Sequence, residues 1–254
     1  MADWTDRIVF VTGATAGFGT AIARAYAALG ARLILCGRRA DRLRQLQAEL
    51  KVPCHLMELD VRQRQAVADA VAGLPADFTA IDVLVNNAGL ALGLEPAHRT
   101  DLDDWEAMMD TNVKGLMYVT RAVLPGMVER NHGHVVNISS IAGTYPYPGG
   151  NAYGASKAAV SQFSLNLIVD LVKTKVRVTN IEPGLCAGSE FSLVRFKGDA
   201  EAAAKVYDGT TPLTSEDIAE SVIWATSLPD HVNINRIELM PVSQAPAGLT
   251  VFRG

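Results

Sequence analysis

The chain has 254 residues, of which 49% are hydrophobic, and its net charge is −4 at pH 7. This length and composition suit one α/β domain with a sizeable core, and an acidic balance without a basic stripe argues against nucleic acid as a partner. Asp3 and Asp6 precede any apolar stretch, and no run reaches the roughly 18 uncharged apolar residues of a membrane span, so we expect a cytoplasmic protein without a membrane partner.

Strand-like runs alternate with helical ones along the whole chain. The predicted strands are residues 8–12, 32–36, 54–58, 83–86, 134–138, 177–182 and 236–240. The predicted helices are residues 21–29, 41–50, 62–71, 103–128, 153–172 and 215–227, with Ser215 as the cap of the last one. This order implies right-handed βαβ crossovers, and so a doubly wound, seven-stranded parallel sheet with helices on both faces.

A glycine-rich turn joins the first predicted strand to the first helix. Gly13, Gly17 and Gly19 allow a tight turn and the close approach of a pyrophosphate, which amide N–H groups at the helix N-terminus would stabilise. The spacing alone also fits an ordinary strand-to-helix turn, but its position at the first crossover favours a Rossmann-type dinucleotide site. The predicted contacts of this turn are Gly13, Thr15, Ala16, Gly17, Phe18 and Gly19.

The end of the second predicted strand indicates which dinucleotide is bound. An NAD-specific site usually has an acidic residue here, whereas this chain has Gly37, Arg38 and Arg39. Two guanidinium groups beside a small residue leave room and charge for a 2'-phosphate, which arginine binds bidentately. The alternative is that both arginines are solvated charges at the start of the next helix. Their position near the ribose favours NADP or NADPH.

A candidate site for proton transfer lies in the second half of the chain. Tyr153 and Lys157 are four residues apart in a predicted helix, so both side chains would face the same cleft. A tyrosine normally titrates near about 10, and a nearby cation lowers this pKa. Ser140, at the end of a strand-like run, would hold a carbonyl or alcohol oxygen. The tyrosine–lysine pattern by itself also occurs on solvated helix faces.

These motifs together resemble the short-chain dehydrogenase/reductase family of the single-domain type. The match covers nearly the whole chain and comprises, in order and spacing, the Thr-Gly-x-x-x-Gly-x-Gly turn, Asn86-Asn87-Ala88-Gly89, Asn112, Ser140, Tyr153 and Lys157. By this resemblance Tyr153 is the general acid/base, and Lys157 lowers its pKa and binds the nicotinamide ribose. Ser140 then polarises the substrate oxygen, and Asn112 holds the water of a proton relay.

The resemblance also implies contacts with the rest of the cofactor. These are Asp60 at the adenine, Asn87, Ala88 and Gly89 on the adenosine side, and Pro183 and Gly184 beside the nicotinamide. Val61 is a further expected cofactor contact. The family at large has a threonine one position before Ser189, so Ser189 is expected to replace that hydroxyl at the nicotinamide amide. One domain, 1–254, would then have a cofactor-binding half of about 1–150 and a catalytic and substrate half of about 151–254.

Three segments, 89–98, 195–199 and 231–235, are similar to the bacterial NADP-dependent 3-hydroxy acid dehydrogenases. That branch oxidises serine, allo-threonine and 3-hydroxyisobutyrate, and it interconverts malonic semialdehyde and 3-hydroxypropionate. A sister branch, similar in the same segments, reduces sulfoacetaldehyde to isethionate. The sequence leaves both substrate classes open. A non-catalytic NADP-binding sensor is a third possibility, which the complete set of four catalytic-type residues argues against.

Residues 185–211 are expected to form a lid at the carboxyl edge of the sheet, where ligands enter such folds. Our hypothesis is that Arg195 or Lys197 in this lid pairs with the substrate's carboxylate or sulfonate. A solvated loop charge is the alternative for either residue.

No metal site is expected. Cys36, Cys54 and Cys186 lack metal or redox spacing, and their odd number suits a reducing compartment. His132 and His134 flank a glycine at the entry to a strand, and both are expected in a loop.

The family resemblance further implies a homotetramer. The predicted helices 103–128 and 153–172 would form one interface, with the last strand and the tail at a second one, although burial of these helices against the sheet is the alternative. We also hypothesise that the apolar tail, residues 245–252, closes a neighbour's active site.

Overall fold

Seven parallel strands form one sheet in the computed structural model, which describes residues 3–246. The strands are β1 Ile8–Thr12, β2 Arg32–Gly37, β3 Cys54–Glu58, β4 Ile81–Asn86, β5 Gly133–Ile138, β6 Val176–Pro183 and β7 Arg236–Leu239. Their spatial order is β3-β2-β1-β4-β5-β6-β7, and every neighbouring pair is parallel. The predicted Rossmann-type sheet is therefore confirmed.

Helices cover both faces of this sheet. Within the described residues they are α1 Gly17–Ala28, α2 Ala40–Glu49, α3 Arg64–Ala72, α4 Leu102–Met109, α5 Leu116–Glu129, α6 Asn151–Asp170, α7 Phe191–Arg195, α8 Ala200–Lys205 and α9 Ser215–Thr226. A π-helical turn, Asp110–Gly115, separates α4 from α5, so the predicted helix 103–128 is not a continuous α-helix. The short helices α7 and α8 lie in the lid segment, for which the sequence predicts no helix. None of the helices described is long and apolar enough to cross a membrane.

The central strand β1 shows why these runs form a sheet that is covered on both sides. Successive side chains of a strand point to opposite faces. Val9 and Val11 accordingly pack in one buried cluster, whereas Ile8 and Phe10 pack in the other. A strand with two buried faces has a continuous apolar sequence, which is the pattern of parallel sheets.

The N-terminus of α9 differs from its prediction. Thr214 is the cap: its Oγ1 accepts a hydrogen bond from the Asp217 backbone N–H at 3.2 Å, and Asp217 Oδ2 accepts one from the Thr214 N–H at 2.7 Å. Ser215 is instead the first helical residue, and its buried hydroxyl has no partner. Asp217, three positions after Thr214, completes the capping box. Its position explains why Thr214, and not the adjacent Ser215, is the cap.

The two histidines have different surroundings. His134 belongs to β5, as the predicted strand 134–138 has it, so the expectation of a loop was wrong for this residue. Its Nε2 lies 2.7 Å from Thr179 Oγ1. His132 precedes the strand, with Nε2 3.3 Å from Asp82 Oδ1. Residues 3–246 contain no group of three or more His, Cys, Asp or Glu side chains that could hold a metal ion.

The order of the strands reverses between β1 and β4. In an open parallel sheet such a reversal leaves a crevice at the carboxyl ends of the strands, because the two connections leave in opposite directions. The segments that follow β1 to β6 all begin at this edge, and together with Pro183, the last residue of β6, they carry the predicted site residues.

Candidate active site

A cavity of about 650 Å³ lies at the carboxyl edge of the sheet. The structure brings most of the predicted site residues to its walls: Gly13, Thr15, Ala16, Gly17, Phe18, Arg38, Arg39, Asp60, Val61, Asn87, Ala88, Gly89, Ser140, Tyr153, Lys157, Pro183, Gly184, Ser189 and Arg195. Gly19 and Asn112 do not line it. Both lie directly behind residues that do.

The turn after β1 has the geometry that requires glycine. Gly13 and Gly17 have positive φ angles of +66° and +50°, which side chains other than glycine rarely adopt. A Cβ on Gly19 would lie 2.2 Å from the Gly13 carbonyl oxygen, so Gly19 acts by letting α1 pack against the turn. The first turn of α1 has neither a side-chain cap nor an acidic residue, so its amide groups are available to an anion.

The two arginines after β2 differ in their surroundings. Arg38 is exposed and lines the cavity. Arg39 is held by the glycine turn, because it donates to Thr15 Oγ1 from Nη2 at 3.1 Å and from Nε at 3.3 Å. Asp60, on the same wall, has its pKa lowered by the hydrogen bond from Arg62 and, to a lesser degree, by the charge of Arg38. This end of the cavity therefore presents two guanidinium groups beside the turn, together with the carboxylates of Asp60 and Glu190. Guanidinium groups are the donors that a 2'-phosphate would require.

Tyr153 is buried at the opposite end of the cavity. Burial raises its pKa to about 12, and the charge of Arg195 and a hydrogen bond with Ser140 oppose this shift. The expected lowering by Lys157 does not occur in the structure. Lys157 Nζ lies 5.8 Å from the Tyr153 ring centroid and donates to the Ile138 carbonyl oxygen at 2.8 Å. Burial lowers the pKa of Lys157 itself to about 8.

Ser140 follows β5 and faces the same space. Its Oγ accepts a hydrogen bond from the Ala142 N–H at 3.1 Å and donates to the Pro183 carbonyl oxygen at 3.4 Å. The hydroxyl is thus fixed beside the Tyr153 phenol, and the two groups can contact the same substrate oxygen.

Asn112 lies in the π-helical turn and connects two walls of the cavity. Its Nδ2 donates to the Leu90 carbonyl oxygen at 2.9 Å and to Ser156 Oγ at 3.0 Å, while its Oδ1 accepts from the Leu90 N–H at 2.8 Å. Ser156 Oγ in turn donates to the Tyr153 carbonyl oxygen at 2.7 Å. The amide therefore fixes the loop after β4 against the helix of Tyr153. Its part in a proton relay stays a prediction.

Of the two lid cations that were predicted as contacts for a substrate anion, only one reaches the cavity. The Arg195 guanidinium carbon lies 5.0 Å from the Tyr153 ring centroid and 4.9 Å from that of Phe191. Its Nη2 donates to the Tyr147 hydroxyl at 3.0 Å, whereas its buried Nε has no partner. Lys197 does not line the cavity and pairs with Asp104 at 2.9 Å. Of the two lid candidates, only Arg195 lines the cavity.

Several residues of the site carry no local sequence signal. Arg42 and Glu190 pair beside Arg39, and Tyr147 holds Arg195. Gln244 Oε1 accepts from the Leu185 N–H at 2.7 Å and covers Gly184. Each acts through a contact between distant parts of the chain, which no spacing rule detects. Of the predicted tail 245–252, residues 245 and 246 line the cavity, and 247–252 lie outside the described residues.

Comparisons with known proteins agree with this geometry. A family model described as short chain dehydrogenase matches residues 7–195. The chain is 60% identical over 246 residues to the NADP-dependent 3-hydroxy acid dehydrogenase YdfG of Escherichia coli strain K12, which covers 97% of this chain and 99% of that protein. It is 53% identical over 240 residues to the sulfoacetaldehyde reductase of Chromohalobacter salexigens, covering 93% and 94% of the two chains.

The fold also agrees with a solved structure described as the closed form of serine dehydrogenase complexed with NADP+. The TM-score is 0.95 at 60% identity, and the match covers 97% of this chain and 100% of that one. The conclusion rests on a family model that matches most of the chain, on relatives that are more than 50% identical to it, and on the shared fold. This chain belongs to the short-chain dehydrogenase family.

Proposed function

We propose that this protein is an NADP-dependent oxidoreductase that interconverts small 3-hydroxy acids, such as serine, allo-threonine, 3-hydroxyisobutyrate and 3-hydroxypropionate, with their oxo forms. The observation that carries the proposal is the Arg195 guanidinium, which lies beside the Tyr153 phenol with an unpartnered Nε. A cation next to the acid/base group suits a substrate that carries an anion close to its reacting carbon. The YdfG relative, at 60% identity, supports the same substrate class.

The cofactor proposal has its own support. An uncapped helix N-terminus behind a glycine turn suits a pyrophosphate. The arginines at positions 38 and 39 suit a 2'-phosphate. The relative YdfG is named as NADP-dependent, and the structurally similar serine dehydrogenase was solved with NADP+.

In the reducing direction, NADPH held by the glycine turn and by Arg38 and Arg39 would supply a hydride to the carbonyl carbon. Tyr153 then donates its proton to the carbonyl oxygen, and its raised pKa keeps the phenol protonated and ready to do so at neutral pH. Ser140 holds the same oxygen by a hydrogen bond while charge develops there. The substrate's carboxylate binds Arg195, which orients the reacting carbon.

In the oxidising direction the phenol must act as a base, so its deprotonated form has to be stabilised. Arg195 and Ser140 both lower the pKa of Tyr153 against the effect of burial. Lys157, whose pKa is about 8, is protonated at neutral pH but is not among the groups that lower the Tyr153 pKa, and its Nζ donates to the Ile138 carbonyl oxygen at 2.8 Å.

Sulfoacetaldehyde is the second candidate substrate. A sulfonate would bind the Arg195 guanidinium as a carboxylate does, and a relative at 53% identity is named as a sulfoacetaldehyde reductase.

The test of the proposed function compares initial rates of NADPH and NADH oxidation with malonic semialdehyde and with sulfoacetaldehyde. It also measures initial rates of NADP reduction with serine and allo-threonine. A preference for sulfoacetaldehyde would assign the protein to the second candidate. Tight NADPH binding without turnover would indicate a sensor.

Two variants test the roles of the residues. Tyr153→Phe is expected to lower kcat by roughly 10² to 10⁴-fold, the usual contribution of general acid catalysis, and full turnover would refute the assignment of Tyr153 as the acid/base group.

Arg195→Leu is expected to lower kcat/KM for malonic semialdehyde by about 10-fold or more beyond its effect on an uncharged aldehyde such as propanal. Lys197→Leu is the matched control, since this lid cation does not line the cavity. Equal losses for both aldehydes with Arg195→Leu would contradict the anion contact.

The location and the assembly belong to the same proposal. We infer a cytoplasmic homotetramer, as the family resemblance implies. Exposed apolar side chains on α6 support an interface between copies.

A further inference from the structure

Glu182 is a buried carboxylate that lies behind the cavity and does not line it. It belongs to β6, immediately before Pro183, and its side chain is only 1% exposed. Its Oε1 accepts hydrogen bonds from Ser161 Oγ at 2.8 Å and from Asn180 Nδ2 at 2.6 Å. Its Oε2 accepts no well-directed hydrogen bond but lies 2.7 Å from Arg236 Nε, whose positive charge balances it. Both oxygens of the carboxylate therefore have a function in this network.

The burial of this carboxylate has a cost. Removal from water raises the pKa of Glu182, and the hydrogen bond from Ser161 and the charge of Arg236 offset this effect only in part. An apolar side chain of similar volume would avoid the cost, so a contribution to stability does not by itself account for a carboxylate here. Its contacts are more informative, because they join elements that carry the site residues.

The first element that Glu182 holds is α6. Ser161 lies one helical turn after Lys157, on the same face of this helix. Its Oγ lies 3.0 Å from Ser139 Oγ, and Ser139 donates to the Lys157 carbonyl oxygen at 2.8 Å. Ser139 is the residue before Ser140. The hydrogen bond from Ser161 to Glu182 therefore fixes the middle of α6 against the carboxyl ends of β5 and β6.

The second element is the loop that follows β5. Arg236, on the edge strand β7, pairs with Glu182 and with Glu238, and its Nη2 donates to Thr144 Oγ1 at 3.4 Å. Tyr145 lines the cavity, and its hydroxyl donates to Glu238 Oε1 at 3.2 Å. The ion pair of Glu182 therefore extends to a loop in the cavity wall.

The groups that must stay aligned for proton transfer lie at the front of these same elements. Tyr153 is carried by α6, and Ser140 follows β5 and donates to the Pro183 carbonyl oxygen at 3.4 Å. Their two hydroxyl groups have to contact one substrate oxygen together. A misplacement of about 1 Å, caused by a change far from the reacting atoms, can lower a rate by roughly 10²-fold.

We propose that Glu182 is a positioning residue for proton transfer, which keeps the helix of Tyr153 in register with Ser140 and with the end of β6. It acts through Ser161, from behind the cavity. This inference rests on the proposed function and deepens it, because it identifies the group that keeps the acid/base residue aligned with the residue that holds the reacting oxygen.

The first test separates the chemical step from binding. Single turnovers of the NADPH complex with malonic semialdehyde, followed by stopped flow, give the rate of the chemical step. Titrations give the Kd of NADPH, and steady-state rates give KM. The variants are Glu182→Gln, Ser161→Ala and the double variant, all compared below their melting temperatures. A glutamine has the size of glutamate but only one acceptor oxygen, so it cannot serve both Ser161 and Arg236.

The matched control is Asp82→Asn. Asp82 is a carboxylate at the amino end of β4, on the opposite edge of the sheet from the cavity, and its side chain is 21% exposed. It accepts a hydrogen bond from the Ile8 N–H at 2.7 Å. The control therefore neutralises a carboxylate that holds two elements together without contact to the site.

Each single variant is expected to slow the chemical step by roughly 5- to 50-fold, with KM and the Kd of NADPH within about twofold, because the glycine turn and Arg195 are outside the network. The double variant should be no slower than the slower single variant, since both changes remove the same contact. Asp82→Asn should keep the rate of the unmodified protein. Unchanged rates in Glu182→Gln and Ser161→Ala, or losses that multiply in the double variant, would overturn the proposal.

The second test needs no turnover and measures hydrogen exchange in residues 151–161 of the cofactor-free protein. Exchange should be about threefold faster or more in Glu182→Gln and Ser161→Ala, because α6 is held less firmly, and unchanged in Asp82→Asn. Slower chemistry with unchanged exchange would contradict positioning and indicate an effect of the Glu182 charge. If the unmodified protein reduces neither malonic semialdehyde nor sulfoacetaldehyde, the proposed function fails, and hydrogen exchange alone decides whether Glu182 positions α6.

Discussion

At Lys157, the requirements of function and of folding oppose each other. The side chain is only 6% exposed and donates one hydrogen bond, to the Ile138 carbonyl oxygen. Burial lowers its pKa from the ordinary value of 10.5 to about 8, so at pH 7 the folded protein still contains a buried charge. A charge that is poorly solvated destabilises the folded state. Active-site residues commonly accept such a cost.

Replacing this lysine should therefore stabilise the cofactor-free protein while abolishing activity. The shift from 10.5 to about 8 corresponds to about 3 kcal/mol, the upper limit of the gain expected for Lys157→Met at pH 7. Between pH 8 and 10.5 the unfolded chain binds more protons than the folded one, so the stability of the unmodified protein rises with pH. The stabilisation gained by Lys157→Met should therefore become smaller over this range. Urea denaturation at pH 7, 8 and 9 measures both effects.

The control for this prediction is Lys173→Met, which replaces an exposed lysine just after α6 and should change stability by less than about 0.5 kcal/mol. The prediction would be contradicted if Lys157→Met were less stable than the unmodified protein at pH 7 and the difference in their free energies of unfolding did not change at higher pH. In that case the hydrogen bond to Ile138 would outweigh the desolvation of the charge.

The part of the site that the sequence predicts consists of residues with local spacing rules. Gly13 and Gly17 precede a helix at fixed distances, and Tyr153 and Lys157 lie one helical turn apart. The bridge from Glu190 could not be predicted, because its arginine partners lie 151 and 148 positions earlier in the chain. Nor could the raised pKa of Tyr153 be predicted, since spacing shows where a cation is and not how deeply the phenol is buried.

At the scale of elements, buried runs predict the strands well, and the ends of helices depend on finer signals. The fully buried run of β1 has the same bounds in the prediction and in the structure. The π-helical turn Asp110–Gly115, by contrast, was not predicted, because the residues around it have the pattern of an ordinary α-helix. An apolar periodicity cannot show one turn with a wider hydrogen-bond spacing, and such turns often occur at functional sites.

The cap of α9 offers a test at this scale, because two neighbouring hydroxyl residues have different roles. Thr214→Ala should cost about 1 kcal/mol, since it removes the acceptor of the Asp217 N–H. Ser215→Ala is the matched control and should be close to neutral, because the Ser215 hydroxyl is buried without a partner. Chemical denaturation that shows the larger loss for Ser215→Ala would support the original prediction of the cap and contradict the structure.

At the scale of the whole molecule, the outer face of α6 is the surface that suggests assembly. Leu165 and Val169 on α6 are 47% and 71% exposed and lie one helical turn apart, and Val172, in the turn just after α6, is 76% exposed. Trp224 on α9, which packs on the opposite face of the sheet from α6, is 54% exposed, and Val242 after the edge strand β7 is 107% exposed. Two separate apolar surfaces are what a tetramer with two kinds of interface would use.

Val169→Glu should therefore split the proposed tetramer into dimers. A carboxylate at the centre of the α6 face would have to be buried without a partner in that interface, which costs far more than it does in solvent. The second surface, around Trp224 and Val242, is unchanged and should keep pairs together. Analytical ultracentrifugation at several protein concentrations measures the result, and the folded state is checked by the melting temperature.

The control for the assembly prediction is Gln45→Glu, which adds the same charge on the exposed face of α2, away from both apolar surfaces. It should leave the tetramer intact, so that net charge alone is not the cause of dissociation. A Val169→Glu protein that remains tetrameric would show that the α6 face is not an interface. An unmodified protein that sediments as a monomer would contradict the assembly as a whole, and the exposed side chains of α6 would then be isolated surface residues, which are common on monomers.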